Sequence, residues 1–147
     1  MRPWSNTSQA GQVIQWPPMA EHAPFVAIVD DEEPIRKALR RLLRAADLET
    51  EAFASGSAFL ESLSVRRPDC VILDLHMPGM TGLYVLQRLQ QSGVHVPAIV
   101  ITAHDEPETR TDCLAAGAIA YLRKPLEDRL LLDAVASAAK IRKNGTQ

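Results

Sequence analysis

Short apolar runs, each closed by a polar turn and followed by an amphipathic stretch, set the pattern of this chain. Phe25-Val26-Ala27-Ile28-Val29 is continuously apolar, as expected of a parallel strand covered on both faces. It stops on Asp30-Asp31. Pro34 then suits the first turn of a helix whose apolar face is Ile35, Leu39, Leu42, Leu43 and Ala46. A more polar strand near Leu48 to Phe53 suits a sheet edge. Ser55-Gly56 precede a helix through Phe59, Leu60 and Leu63, with Ser55 as its N-cap. Pro68-Asp69 close that unit before the strand Cys70 to Leu73, which stops on Asp74.

Pro78-Gly79 turns the chain again, and Thr81-Gly82 opens a helix marked by Leu83, Val85, Leu86 and Leu89, with Gly93 just past its end. Pro97 to Ile101 is the fourth strand and ends at Thr102. Asp105-Glu106-Pro107-Glu108 reads as a capping box with acidic first-turn residues, and the helix runs to about Ala116-Gly117. Ala118 to Leu122 is the fifth strand, followed by Arg123-Lys124-Pro125. The last helix carries Leu131, Ala134, Val135 and Ala138 on one face and is expected to fray in the polar stretch from Lys143 to Gln147.

Five strands alternating with five helices predict an α/β fold, a doubly wound parallel sheet of flavodoxin-like type with right-handed crossovers. In strand order 2-1-3-4-5 the second strand is an edge, and the crevice opens between strands one and three. One domain is expected, over residues 24–142, with no internal repeat and no linker to a second one. Residues 1–23 are rich in Ser, Thr, Asn, Gln and Pro without helical or strand period, which predicts a disordered tail. Both tryptophans, Trp4 and Trp16, fall there; anchoring on a partner is the sharper reading and no specific role the favoured one. Met19 is an alternative natural start.

Composition narrows the choice of chemistry. A formal charge of -2 predicts no general affinity for nucleic acid, and no apolar run approaches the roughly 18 residues of a membrane span. Cys70 and Cys113 match no metal-ligand spacing and read as small buried hydrophobes, which fits a reducing cytoplasm. The basic helix face Arg36, Lys37, Arg40, Arg41 and Arg44 reads as solvated, with an acidic partner as the alternative.

What distinguishes the chain is where its polar residues fall. The strand ends carry Asp30 and Asp31, Asp74, Thr102 and Lys124, and in a parallel sheet these share one edge. Each alone has a dull explanation as a cap, a turn carboxylate or a surface charge. Together they describe a site. Clustered carboxylates raise one another's pKa unless a cation compensates, so the cluster predicts a metal ion. Mg²⁺ (or Mn²⁺) suits it, a hard cation held by few carboxylates, waters and phosphate oxygens. Asp31, Asp74 and a main-chain oxygen near His76 are expected to hold the ion, with Asp30 acting through its waters. Asp74 then reads as a nucleophile toward phosphorus, Lys124 as a point charge on the phosphoryl group and Thr102 as a hydroxyl donor.

At these residues the chain resembles the receiver domain of bacterial two-component response regulators, nearest to the FixJ-like branch. The marks are Val29-Asp30-Asp31-Glu32, Leu73-Asp74-Leu75-His76-Met77-Pro78-Gly79-Met80-Thr81-Gly82, Ile101-Thr102-Ala103 and Tyr121-Leu122-Arg123-Lys124-Pro125, within a resemblance from Phe25 to Ile141. The resemblance implies that a sensor histidine kinase or phosphotransfer protein passes a phosphoryl group to Asp74. It implies a cis bond between Lys124 and Pro125, and a switch in which Thr102 moves toward the phosphoryl group and Tyr121 turns inward. The other reading of Tyr121 is a half-buried strand aromatic with its hydroxyl in water. The implied readout surface is the fourth helix, fifth strand and fifth helix, which also allows a homodimer.

His76 and His104, each two residues beyond a site residue, are expected to flank the mouth, to set the lifetime of the phosphorylated form and to make it pH-dependent near neutrality. The expected protein is a stand-alone receiver that acts on a downstream protein, binds no nucleic acid directly and turns over no substrate. The alternatives are a docking module that works without phosphorylation and the receiver part of a longer transcriptional regulator. A phosphatase of the haloacid dehalogenase type is disfavoured by His76 where a second acid belongs. A flavin carrier is disfavoured by the missing phosphate loop after the first strand.

Overall fold

The computed structural model describes residues 23–145. The expectations for residues 1–22, Trp4, Trp16 and Met19 among them, and for residues 146–147 lie outside the described residues. The elements alternate without exception: β1 (Phe25–Val29), α1 (Glu33–Ala45), β2 (Glu49–Phe53), α2 (Gly56–Ser62), β3 (Cys70–Asp74), α3 (Gly82–Ser92), β4 (Ala98–Thr102), α4 (Pro107–Ala115), β5 (Ala118–Arg123) and α5 (Asp128–Gly145). The five strands form one sheet in order β2-β1-β3-β4-β5, every pair parallel.

The hydrophobic pattern explains this order. β1, β3 and β4 are buried at every residue, as strands covered on both faces must be, whereas β2 alternates exposed and half-buried positions at the sheet edge. The sheet divides the apolar interior into two cores. On one face Phe59 of α2, Val85, Leu86 and Leu89 of α3 and Cys113 of α4 pack on Ala27, Val29, Val71 and Leu73. On the other, Leu39 and Leu43 of α1 and Leu131, Val135 and Ala138 of α5 pack on Val26, Ile28, Ile72 and Ile99. Each residue pointing up from a strand meets one core and its neighbour meets the other, the period of two that a pleated strand imposes.

Helix ends follow local chemistry. The Ser55 hydroxyl accepts from the Ala58 N–H at 3.1 Å, and Thr81 does the same for Tyr84 at 3.2 Å. Gly93 closes α3 at φ 76°, a left-handed conformation suited to glycine. The capping box expected at Asp105 to Glu108 does not form. Glu106 occupies the N-cap of α4 without a side-chain bond to the helix, and its carboxylate instead accepts from the Thr109 hydroxyl at 3.2 Å. A glutamate is one methylene longer than the residues that cap well, and Pro107 removes the first N–H from the account. α5 continues to Gly145, into the polar stretch expected to fray from Lys143.

Candidate functional site

The sheet's carboxyl edge is fixed by a ladder that runs one step beyond the strands. Asp30 N–H donates to Phe53 O at 3.1 Å, Leu75 N–H to Ile101 O at 3.0 Å and Lys124 N–H to Thr102 O at 2.8 Å. The main chains that carry Asp30, Asp74 and Lys124 are therefore held against their neighbours, and the side chains emerge from a rigid rim. Gly82 completes it. Its N–H donates to Leu75 O at 2.9 Å, and a Cβ there would lie 2.5 Å from Asp74 O and 2.9 Å from Leu75 Cα. Only glycine lets the start of α3 rest on the end of β3.

Asp30, Asp31 and Asp74 each present a ligand oxygen within 4.8 Å of the others. Asp30 is fully buried, Asp74 is 3% exposed and Asp31 faces solvent. The Lys124 ammonium donates to Asp30 Oδ2 at 3.1 Å and to Asp74 Oδ1 at 3.4 Å. Asp30 is also tied on its other oxygen, which accepts from the Glu32 N–H at 2.9 Å. Burial and then the charge of Asp30 push the Asp74 carboxyl up from 3.8 to about 6, while Lys124 opposes the shift. Burial by itself would lower the Lys124 pKa, but the hydrogen bond to Asp30 and the charge of Asp74 outweigh it and leave the ammonium more basic than usual. One cation thus sits against two buried acids, with a third, exposed acid beside them.

Thr102 is buried beside this group, and its hydroxyl is already engaged. It donates to His104 O and accepts from His104 N–H, both at 3.0 Å, and lies 3.4 Å from His76 Nδ1. The two imidazoles meet edge to face, with centroids 5.2 Å apart and planes at 87°. His76 and His104 are both exposed, and the structure joins them in one group at the rim. Tyr121 stands apart on β5, 7% exposed, packed in the core beneath α2, α3 and α4. Its hydroxyl is buried and finds no hydrogen-bond partner among the described residues, so the reading with the hydroxyl in water does not hold. Burial pushes the phenol upward; the Glu106 main chain comes close enough to oppose part of the shift without completing a hydrogen bond. The Lys124–Pro125 peptide is cis.

Two contributors escaped the sequence reading. Arg36, grouped with a solvated basic face, donates from Nη1 to Asp30 O at 2.8 Å and anchors the turn that carries the acids. Helical spacing hinted at this, since Arg36 closes the first turn of the helix after the acids, but side-chain reach is not encoded in periodicity. Arg110 of α4 lies over the Tyr121 ring at 4.9 Å. Nothing in the pattern of α4 marked it.

Known proteins match this chain over the same region. The response regulator receiver domain family matches residues 26–136. The response regulator protein TodT of Pseudomonas putida is 34% identical over 84% of this chain and 54% of its own length. The transcriptional regulatory protein FixJ of Rhizobium meliloti is 35% identical over 78% of this chain and 56% of its own length. The chain thus spans about half the length of the curated relatives it matches. Among solved structures, the crystal structure of FixJ-N superposes with a TM-score of 0.76 at 34% identity, covering 83% of this chain and 96% of that one. A response regulator receiver protein from Burkholderia phymatum gives a TM-score of 0.71 at 48% identity, over 80% of this chain and 95% of that one.

Proposed function

The chain belongs to the response regulator receiver domain family, and from that premise we propose that Asp74 is the carboxylate on which it carries a phosphoryl group. Phosphoacceptance in two-component signalling is the function of the family, and its members are signalling domains. The donor we infer is a sensor histidine kinase or a phosphotransfer protein. The Asp74 oxygen forms a bond to phosphorus as the donor's phosphorus–nitrogen bond breaks, and the departing imidazole takes up a proton. The observation that carries this reading is the junction of buried Asp74 with Asp30, Asp31 and Lys124 at the sheet's carboxyl edge.

The donor set fits a hard divalent cation: three carboxylates converge within 4.8 Å and a single ammonium faces the two buried ones. Asp31, Asp74 and the main-chain oxygen of His76 would hold Mg²⁺ (or Mn²⁺), with Asp30 acting through the ion's waters. When bound, the ion neutralises the acids and the phosphoryl oxygens. Lys124 supplies a fixed positive charge to the incoming group, and Thr102 supplies a hydroxyl once it leaves His104. His76 and His104 control the approach of water and so the lifetime of the acyl phosphate. Thr102 and Tyr121 transmit the charge event to the face made by α4, β5 and α5, where a downstream protein, or a second copy of the chain, would dock.

We place the protein in the cytoplasm, acting without direct nucleic-acid contact and without a turnover substrate, as a receiver over residues 24–142. Two buried free thiols and a formal charge of -2 support that reading. A second reading, the receiver part of a longer transcriptional regulator, is favoured by the half-length match to FixJ and TodT.

The test is incubation with a small phosphodonor and Mg²⁺. Intact mass is expected to rise by one phosphoryl group in the native chain and not in Asp74→Asn, and chelation of the metal is expected to abolish the gain. A persistent gain in Asp74→Asn would refute the assignment. A native chain that gains nothing would favour the unphosphorylated docking module. Unchanged dephosphorylation rates in His76→Ala and His104→Ala would remove the role given to the imidazoles.

A further inference from the structure

α4 is weakly anchored for a core-facing helix. Its sequence, Pro-Glu-Thr-Arg-Thr-Asp-Cys-Leu-Ala, buries only Cys113, near its carboxyl end. The first turns therefore need another hold, and the structure has one. The Arg110 guanidinium carbon lies 4.9 Å from the centre of the Tyr121 ring, and Arg110 Nη2 lies 4.0 Å from Asp105 Oδ2 in the loop between β4 and α4. The ring beneath it is buried, although its hydroxyl goes without a partner among the described residues. Burying an unsatisfied hydroxyl is unfavourable, so the inward ring must be compensated by its apolar neighbours and by the cation on its face. The ion pair with Asp105 is half-exposed and contributes little energy; its effect is to aim the guanidinium.

We infer that Arg110 is a positioning residue that clamps Tyr121 in its buried position before any phosphoryl group arrives, with Asp105 orienting the clamp. This rests on the reading of Tyr121 as the switch aromatic and adds its bias: the inward arrangement is held by a contact on α4 as well as by the site. A lysine in place of Arg110 keeps the charge but loses the flat group that stacks on a ring. The clamp also links helix to strand, since Arg110 and Tyr121 sit on α4 and β5, the elements that form the expected docking face.

The experiment uses the full chain labelled with fluorotyrosine and read by fluorine NMR. The chain has two tyrosines, Tyr84 and Tyr121, so Tyr84→Phe leaves one resonance. In that background, Arg110→Ala and Arg110→Met are expected to shift the inward-to-outward ratio of Tyr121 by about twofold to fivefold, the effect of losing one partly exposed cation–π contact. Arg110→Lys should recover part of the shift, which a merely structural loss would not do. Beryllofluoride with Mg²⁺, as a phosphoryl mimic, should return the Arg110→Ala resonance toward the native position and change the native one less.

A Tyr121 resonance that stays at its native position in both Arg110→Ala and Arg110→Met would overturn the clamp. The reading of the site is decided separately. If the free-protein shift occurs but beryllofluoride moves nothing, the clamp stands and the coupling of Asp74 to Tyr121 falls.

Discussion

The hydroxyl of Thr102 is held on two sides by the main chain of His104, donating to its carbonyl and accepting from its N–H, each at 3.0 Å. A hydroxyl has one hydrogen to give, so Thr102 would serve a phosphoryl oxygen only by releasing the His104 carbonyl. The β4–α4 loop is thus tied to the atom that, under the proposed function, would meet the phosphoryl group, and movement of Thr102 would free the loop.

Replacing Thr102 by valine keeps the shape and removes both bonds. Stability is expected to fall by about 1 kcal/mol, because His104 lies at the surface and water can satisfy its freed groups. Thr102→Ser should recover most of the loss. Urea denaturation of the three proteins checks this, and equal midpoints for Thr102→Val and the native chain would contradict it.

Asp74 makes metal-free stability depend on pH in a direction opposite to that of an ordinary paired aspartate. Its folded pKa is raised, to about 6 from 3.8, so its favourable contribution is complete below 3.8 and lost as pH climbs through 6. Asp74→Asn mimics the neutral carboxyl. In a chelator it should be more stable than the native chain well above pH 6, by about 1–2 kcal/mol, and no more stable below the range of the shift. Adding Mg²⁺ should narrow the gap, since the ion favours the ionised form. Thermal melts across the pH series decide it, and a gap that fails to grow with pH refutes it.

Lys124 balances two buried acids, so its loss should be felt in both stability and chemistry. Lys124→Met keeps the stem and removes the charge. Phosphorylation by a small donor is expected to slow by about 10²-fold or more, the scale of removing one charge-stabilising donor. Metal-free stability should drop by about 3 kcal/mol well above pH 6, and by less below it, where Asp74 takes up a proton. Single-turnover phosphorylation and denaturant titration give the two readouts; a normal phosphorylation rate would exclude Lys124 from the chemistry.

Gly79, in the loop after β3, and Gly82, at the start of α3, offer a contrast. Alanine at Gly82 must displace the Asp74 carbonyl or the start of α3, a clash with main chain that cannot be relieved by a rotamer. Alanine at Gly79 meets open space but takes a left-handed φ of 81°. Both should cost about 1–3 kcal/mol, the first by overpacking and the second by backbone strain. Only Gly82→Ala should also impair phosphorylation, because only it moves the residue that carries the nucleophile. Equal phosphorylation rates in the two variants would contradict this.

The architecture was legible because burial on both faces leaves a direct trace in composition. Phe25 to Val29, Cys70 to Leu73 and Pro97 to Ile101 are apolar without alternation, as strands covered on both faces of a parallel sheet require. The acids and Lys124 were legible because they interrupt such runs at one end. What sequence did not disclose depends on rotamers and on reach across the fold. The bond from Arg36 to Asp30 O, the His76–His104 contact and the stacking of Arg110 on Tyr121 all join side chains whose approach is set by backbone placement. The capping box at Asp105 to Glu108 shows the converse. A residue pattern that often caps a helix was present, but Pro107 and the length of Glu106 redirected the carboxylate to Thr109.

The sheet that separates the two cores also divides the molecule by mechanical role. Tyr121 and α4 belong to the layer with α2 and α3, while α1 and α5 grip the opposite side through Leu39, Leu43, Leu131 and Val135. A change at the rim is therefore expected to move α4, which buries only Cys113, sooner than α1 and α5 on the opposite side.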